Sequence, residues 1–503
     1  MEKVFLGVDL GTTNLKVVLY NEQGVKVAER SIEYPTYFPR VGWAEQDPLD
    51  WLKAFSEAVK PLVEKCNCKV TAMGFSSQRE GVVPLDKEGR ALGRCIIWMD
   101  QRSRPQAEYV KRLMGVNELY RRTGLLPSPT FTVTKILWIK ENMPKVYERA
   151  RVFLQPKEYL VFKLTGKAFT DPSLASRTMM YNIHKLEWDY EIIESLGLDY
   201  SKMPEVKGSL DVVGVAEGDV ARKLGLEGCI IVNGGGDRPM EALGAGIVKE
   251  DIAGETTGTA TNVFRSLNRP KLDPKKRIIC SLHVIPGRWL MEGGTNPTGA
   301  ILRWFRDIIA IPEVEEAKKI GADPYDIITK GAGEVPPGAE GLFLIPFFEG
   351  SKVPYWNPWM RGAFIGLSLH HDRRHLARSI MEGIAFLTKQ VLSIEEEVGG
   401  NIKEVRVLGG ASKSKLWVLI KASVWNKRAV RMKEKSSAAL GAAMTAVIGY
   451  GLYSVNEAIK RFVKIEDEVL PYDLWIKEYS RLYKKYLIIT EFLNKLTPRV
   501  FSQ

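Results

Sequence analysis

Cysteine is scarce: 503 residues hold five, Cys66, Cys68, Cys95, Cys229 and Cys280, in an odd and scattered set. Cys66 and Cys68 have the spacing of a metal or redox pair, but no second pair and no spaced histidine cluster completes a site. They read as structural. Long apolar runs are missing too. No stretch would span a bilayer, and the chain enters its first strand at Val4 without a basic, apolar, small-residue leader. The expectation is a cytoplasmic protein free of the membrane. There is no GxxxxGK[ST] loop, the glycine runs at 234–236 and 409–410 lack the dinucleotide fingerprint, and no short tandem repeat is visible. The net charge of +12 is dispersed among acidic residues along most of the chain. That argues for a solvated basic surface that attracts a small anion, and against a nucleic-acid partner.

What is present begins with Asp9-Leu10-Gly11-Thr12-Thr13-Asn14-Leu15-Lys16, a turn between two runs of β-formers, Val4–Val8 and Val17–Tyr20. Gly11 lets the backbone approach a ligand, Thr12 and Thr13 offer hydroxyls and amides, Lys16 adds positive charge and Asp9 can hold a divalent cation. A capped tight turn would use the same residues. A second copy of this chemistry, Gly254-Glu255-Thr256-Thr257-Gly258-Thr259-Ala260, again puts small hydroxyl-bearing residues in an expected turn before a strand at Thr261–Phe264. Two phosphate-gripping turns in two halves suggest a nucleotide clamped between domains.

The length fits roughly two to four domains. Residues 47–65 read as a helix with Pro48 in its first turn, and Val70–Phe75 as a buried strand ending in the loop Ser76-Ser77-Gln78-Arg79-Glu80-Gly81. The apolar run 229–233 delivers Asp237 on a glycine hinge, and a helix from about Pro239 puts its positive end beside that carboxylate. The first domain is expected to close near residues 246–252, giving domains at 1–248 and 249–503. In the second half, the strand Val405–Leu408 feeds Gly409-Gly410-Ala411-Ser412-Lys413-Ser414, and a helix begins at Leu416. Residues 436–443 form a small-residue helix suited to a flat ligand or to another helix, and residues 473–496 an amphipathic helix without a catalytic pattern.

Ordered landmarks then carry a resemblance. They are DLGTTNLK at 9–16, GWAEQDPLDW at 42–51, SSQREG at 76–81, WMDQR at 98–102, LTG at 164–166, TDPSLAS at 170–176, GGGDRPMEALGAG at 234–246, TTGTA at 256–260, PYWNPWMRGAFIGL at 354–367, HLARSIMEGIAF at 375–386 and LGGASKSKLW at 408–417. Each is weak alone, but in this order, from Asp9 to Ala443, the chain resembles the FGGY carbohydrate kinase family. The resemblance implies an α/β fold of two actin-like, ribonuclease-H-like domains around a cleft, with ATP and Mg2+ on one side and a polyol or ketose on the other. It maps the general base onto Asp237 and hydroxyl-binding residues onto Arg79 and Glu80. The adenine and ribose pocket falls on Gly299, Arg303, Gly410 and Ser414, and Gly258 and Thr259 face the nucleotide phosphates. A homodimer is left open.

The substrate is less well marked. Ser77-Gln78-Arg79-Glu80 is similar to glycerol kinases, whereas Thr130-Phe131-Thr132 resembles the xylulokinase pattern. Arg238 is either a surface cation or a contact to an extra hydroxyl or anionic group of the substrate, beside Gln78, Arg79, Glu80 and Asp237. Arg79-Glu80-Gly81 and His283–Gly287 also resemble autoinducer-2 kinases. The expectation is a xylulokinase-like kinase of a pentulose, with glycerol kinase as runner-up. Actin-like proteins that hydrolyse ATP without a small acceptor lack a sugar loop, and here Arg79, Glu80 and Asp237 are all present.

Overall fold

The computed structural model describes residues 3–66, 68–295 and 298–501. Its first sheet starts with β1 (Val4–Leu10), β2 (Asn14–Asn21) and β3 (Lys26–Glu33), three antiparallel neighbours. The register sets Asp9 opposite Lys16 and Leu10 opposite Leu15. Helix α1 (Pro48–Cys66) then crosses to β4 (Val70–Ser77), which runs parallel to β1. Trp51, Phe55, Ala58, Val59 and Leu62 recur at helical spacing on the buried face of α1, which seats it on the sheet. Cys66 and Cys68, expected to be structural, are joined in a disulfide after α1. The hairpin β5 (Val212–Val215) and β6 (Ile230–Val232) completes the order β5-β6-β4-β1-β2-β3, with β6 parallel to β4.

A short helix, α2 (Asp237–Gly244), leads into a second sheet of the same plan. Here β7 (Ile252–Thr257), β8 (Thr261–Leu267) and β10 (Trp289–Gly294) are successive antiparallel neighbours, and β9 (Ile279–Leu282) pairs outside β10. Helices α3 (Gly299–Ile308) and α4 (Arg373–Gly399) precede β11 (Glu404–Leu408), which is parallel to β7. Helix α5 (Lys415–Trp425) crosses to β12 (Arg428–Met432), parallel to β11, and β13 (Ile465–Val469) closes the far edge. Both sheets thus order their five principal strands third-second-first-fourth-fifth. In both, the first turn and the fourth strand's loop emerge at the same edge, where ligands bind in open α/β sheets. The two actin-like domains expected from the sequence are present.

One expectation needs correcting. Gly254–Thr257 is not turn but the buried core of β7, and only residues 258–260 turn. Glu255 earns its buried place by an ion pair with Lys421 at 2.7 and 2.8 Å and by accepting from the Thr257 hydroxyl.

The small-residue helix, α6 (Ser437–Gly449), is used for close packing. Although it falls between β12 and β13 of the second sheet in sequence, it lies on the first sheet. A Cβ at Gly7 of β1 would strike the carbonyl of Ala439, and one at Gly74 of β4 that of Ala442. Helix α6 also crosses α2 backbone to backbone, since Cβ atoms at Gly244 and Gly441 would strike the carbonyls of Ser437 and Met240. The final helix, α7 (Asp473–Phe501), packs Tyr479, Leu482 and Tyr486 against the second core.

Candidate active site

The first hairpin turn is braced from beneath. Gln78 continues β4 by donating its backbone N–H to Leu10 O at 2.8 Å. Its side-chain amide donates to Gln46 Oε1 at 2.6 Å and to Gly11 O at 3.3 Å, while Gln46 donates to Thr12 O at 2.7 Å. The Thr12 hydroxyl accepts from Trp98 Nε1 at 3.0 Å, and Thr13 is exposed. Lys16 reaches the other half of the chain, donating to Ser436 Oγ at 2.7 Å just before α6.

Asp9 lies at the end of β1, where its Oδ1 accepts from Ser76 Oγ at 2.7 Å. Burial pushes its carboxyl up to about 6; Asp237 and Glu241 add to that push, against the Ser76 hydrogen bond and Lys16. A cation placed there would relieve this crowding of negative charge. Among the described residues no cluster of three histidine, cysteine or acidic ligands could hold a metal alone. Mg2+ carried on phosphates needs only one or two carboxylates, and Asp9 with its acidic neighbours fits that requirement.

The glycine run brings Asp237 beside the sugar loop. Gly235 and Gly236 pair with Ser76 and Ser77 of β4, and a Cβ at Gly234, where φ is 77°, would strike the Phe75 carbonyl. The TDPSLAS landmark supports the run from outside, Ser173 Oγ accepting from Gly236 N at 3.0 Å. Asp237 therefore opens α2 at its positive end. Arg79 Nε approaches Asp237 Oδ1 at 2.9 Å, and the Arg238 N–H donates to the same oxygen at 2.8 Å. No hydrogen bond among the described residues engages Oδ2, and the side chain is 31% exposed.

Arg79 starts a buried chain of alternating charge. Its two terminal nitrogens meet both oxygens of Glu292, on β10 of the other domain, at 3.0 and 3.1 Å. Arg177 joins the same glutamate and also Glu80, whose Oε1 lies 2.6 Å from Arg177 Nε. Burial works to raise the Glu292 carboxyl, but Arg79 and Arg177 hold it down at about 2. Arg238 is partly exposed and turns along α2 to pair with Glu241. Each of these three arginines has its charge answered by a protein carboxylate.

The second turn gathers most of the expected nucleotide residues. Gly258 and Thr259 are exposed between β7 and β8. The start of α3 presses on them so closely that a Cβ at Gly299 would strike Gly258 O. Ala300 N donates to Thr259 O at 3.1 Å, and Arg303 Nη2 to Thr259 Oγ1 at 3.3 Å. Gly409, at φ 72°, folds the end of β11 over the Thr257 carbonyl and leaves Gly410 exposed. Ser414 spends its hydroxyl as the cap of α5, accepting from Trp417 N at 3.2 Å.

Several site residues escaped the sequence reading. Trp98 and Glu241 sit inside landmarks, and Arg177 directly follows one, so position could have raised them. Glu292 has no such signal, being one carboxylate on an ordinary strand. Only the register of β10 against β8 brings it across the cleft.

Two sheets of one plan, each with a hydroxyl-rich turn after its first strand, and an aspartate at the first sheet's ligand-binding edge make up the candidate site. The N-terminal domain model of the FGGY family of carbohydrate kinases matches residues 4–244, and the C-terminal domain model matches 255–450. The chain belongs to this family and is a carbohydrate kinase. It is 30% identical to a gluconokinase of Bacillus subtilis (strain 168) over 98% of the chain and 97% of that protein. It is 30% identical to a xylulose kinase of the same organism over 96% of each, and 32% identical to a glycerol kinase of Thermococcus onnurineus over 93% of each. The crystal structure of a gluconate kinase from Lactobacillus acidophilus superposes with a TM-score of 0.92 at 27% identity, covering 99% of this chain and 100% of that one. No helix among the described residues is long and apolar enough to cross a membrane.

Proposed function

We propose that the enzyme transfers the γ-phosphoryl group of ATP to a hydroxyl of an open-chain sugar longer than glycerol, in the cytoplasm. The observation that carries this is Asp237: half-open, with Oδ1 held by Arg79 and the Arg238 N–H and with Oδ2 free of hydrogen bonds from the described residues, it is set to take a proton from a substrate hydroxyl. Arg79 orients Asp237 and, with Gln78, Glu80 and Arg238, forms the substrate side, where each guanidinium is already charge-balanced and suits neutral hydroxyls. Thr12, Thr13 and Lys16 receive phosphate from one domain, 1–248. Gly258, Thr259, Gly299, Arg303, Gly410 and Ser414 receive the nucleotide from the other, 249–503. Mg2+, held at Asp9, would neutralise phosphate charge when bound. The rest of the work is positioning and the exclusion of water as the domains close.

A pentulose, the xylulokinase-like substrate, is the first reading, supported by the resemblance of Thr130-Phe131-Thr132 to the xylulokinase pattern. A sugar acid is the second reading, supported by the gluconokinase and gluconate kinase among the relatives. The test is a coupled kinase assay over glycerol, erythritol, xylulose, ribulose and gluconate. Glycerol giving the highest kcat/KM would overturn the reading in favour of a glycerol kinase, because a site built for extra hydroxyls rejects an analogue lacking them.

A further inference from the structure

Unlike Arg79, Arg177 and Arg238, Lys352 has no carboxylate within ion-pair distance among the described residues. It lies in the loop between Gly350, at φ 79°, and the PYWNPW landmark, in the second half of the chain. The backbone around it is pinned: Trp356 N donates to Lys352 O at 2.6 Å, and Val353 N donates to Gly294 O at 3.4 Å, two residues along β10 from Glu292. The side chain crosses to the other domain, where its ammonium lies 5.6 Å from the centre of the Trp98 ring. Trp98 is itself hydrogen-bonded to Thr12 of the phosphate turn. Glu80 attracts the ammonium and Arg177 repels it, but among the described residues no hydrogen bond or ion pair holds it. Burial accordingly lowers its proton affinity. A half-buried cation with no hydrogen bond or ion pair of its own is costly unless a ligand supplies a counter-charge.

We infer that Lys352 is a specificity-determining residue that pairs with an anionic group at the substrate end remote from the reacting hydroxyl, so that the preferred substrate is an open-chain sugar acid rather than a pentulose. The inference rests on the kinase reading above. The hydroxyl-bearing part of an aldonate would lie on the balanced arginines, and its carboxylate would meet an ammonium that has no hydrogen-bond or ion-pair partner among the described residues. The shared chemistry with a nucleotide phosphate is plain, and kinetics separates the two sources.

The test uses the full-length enzyme, K352M and K352R, with D-gluconate and D-xylulose as acceptors and ATP varied independently. The native enzyme is expected to favour D-gluconate. K352M is expected to shift the gluconate-to-xylulose ratio of kcat/KM by at least about 30-fold, the scale of removing one partner of a desolvated charge pair. The loss should fall mainly in the KM for gluconate, and K352R should recover most of it. An unchanged ratio, or a rise in the KM for ATP that is equal with both acceptors, would overturn the inference, the latter assigning Lys352 to phosphate. Calorimetric binding of D-gluconate keeps the inference independent of turnover. Lys352-dependent binding of D-gluconate with no phosphorylation of any acceptor would support the pairing while sinking the reading of Asp237 as the base; binding of D-gluconate with only D-xylulose phosphorylated would overturn the substrate preference, and no binding to the native enzyme would sink the inference itself.

Discussion

Replacing Glu292 with glutamine keeps the shape of the side chain and removes the charge that joins the two domains at the sugar loop. In the native enzyme this carboxylate receives both terminal nitrogens of Arg79 and one of Arg177. Its proton affinity falls from an ordinary 4.5 to about 2 although burial opposes the fall. A carboxyl so displaced carries roughly 3 kcal/mol of stability at neutral pH. The sign follows from the direction: a depressed carboxyl contributes fully above 4.5, and the contribution is lost as the pH falls from there through 2. E292Q should therefore be about 3 kcal/mol less stable than the native enzyme at pH 7, and the gap should close as the pH drops below 4.5. Arg79, released from Glu292, should draw harder on Asp237 and weaken it as a proton acceptor, so kcat should fall as well. Urea unfolding followed by tryptophan fluorescence at pH 7, 5, 4 and 3, beside steady-state kinetics at pH 7, reads both effects. Equal stability at pH 7, or a gap that does not change with pH, would refute the ion-pair reasoning. An unchanged kcat would refute the link to Asp237.

D237N should leave nucleotide affinity nearly intact and lower the rate by roughly a hundredfold or more, the scale of losing a general base; near-native turnover would remove Asp237 from that role. D9A and T12V should each weaken binding of Mg2+ and nucleotide in titration calorimetry without changing sugar preference, and unchanged binding in both would move the phosphate site elsewhere. Because burial lifts the Asp9 carboxyl to about 6, and only its ionised form holds a cation, native affinity for Mg2+ and nucleotide should strengthen as the pH rises through 6, and more steeply than in D9A, where only the terminal phosphate still titrates in that range.

The elements with a strong local signal were readable before the fold was known. The β1–β2 hairpin, α1 and the strand-to-loop passages at Ser76, Gly234 and Gly409 all announce themselves by apolar runs broken at glycine or hydroxyl residues. The misreading at Gly254–Thr257 has a clear origin. Glycine, glutamate and threonine look like turn residues, yet Glu255 is made acceptable in a strand by Lys421, 166 residues away. In the site, Arg79 and Asp237 stood on recognisable loops, but what holds Arg79 in place comes from Glu292, 213 residues along the chain. Its meaning arises only from tertiary register. The same holds for α6: its small residues suit ligand or helix equally, and the choice was made by Gly7, Gly74 and Gly244, which are far from it in sequence.

The position of α6 bears on how the polypeptide becomes a protein at all. The first sheet owes part of its cover to residues 437–449, which emerge from the ribosome long after β1 and β4. Until then the faces around Gly7 and Gly74 have no backbone to meet, and Phe5, Val18 and Ala72 lack the partners Ala439, Ala443 and Met444 that share their cluster in the finished enzyme. The N-terminal half must therefore wait, incompletely packed, through the synthesis of about two hundred further residues. Its last step of folding is a long-range one, slow to close by nature. Cutting the chain at the boundary between its two family domains would separate a sheet from its own lid.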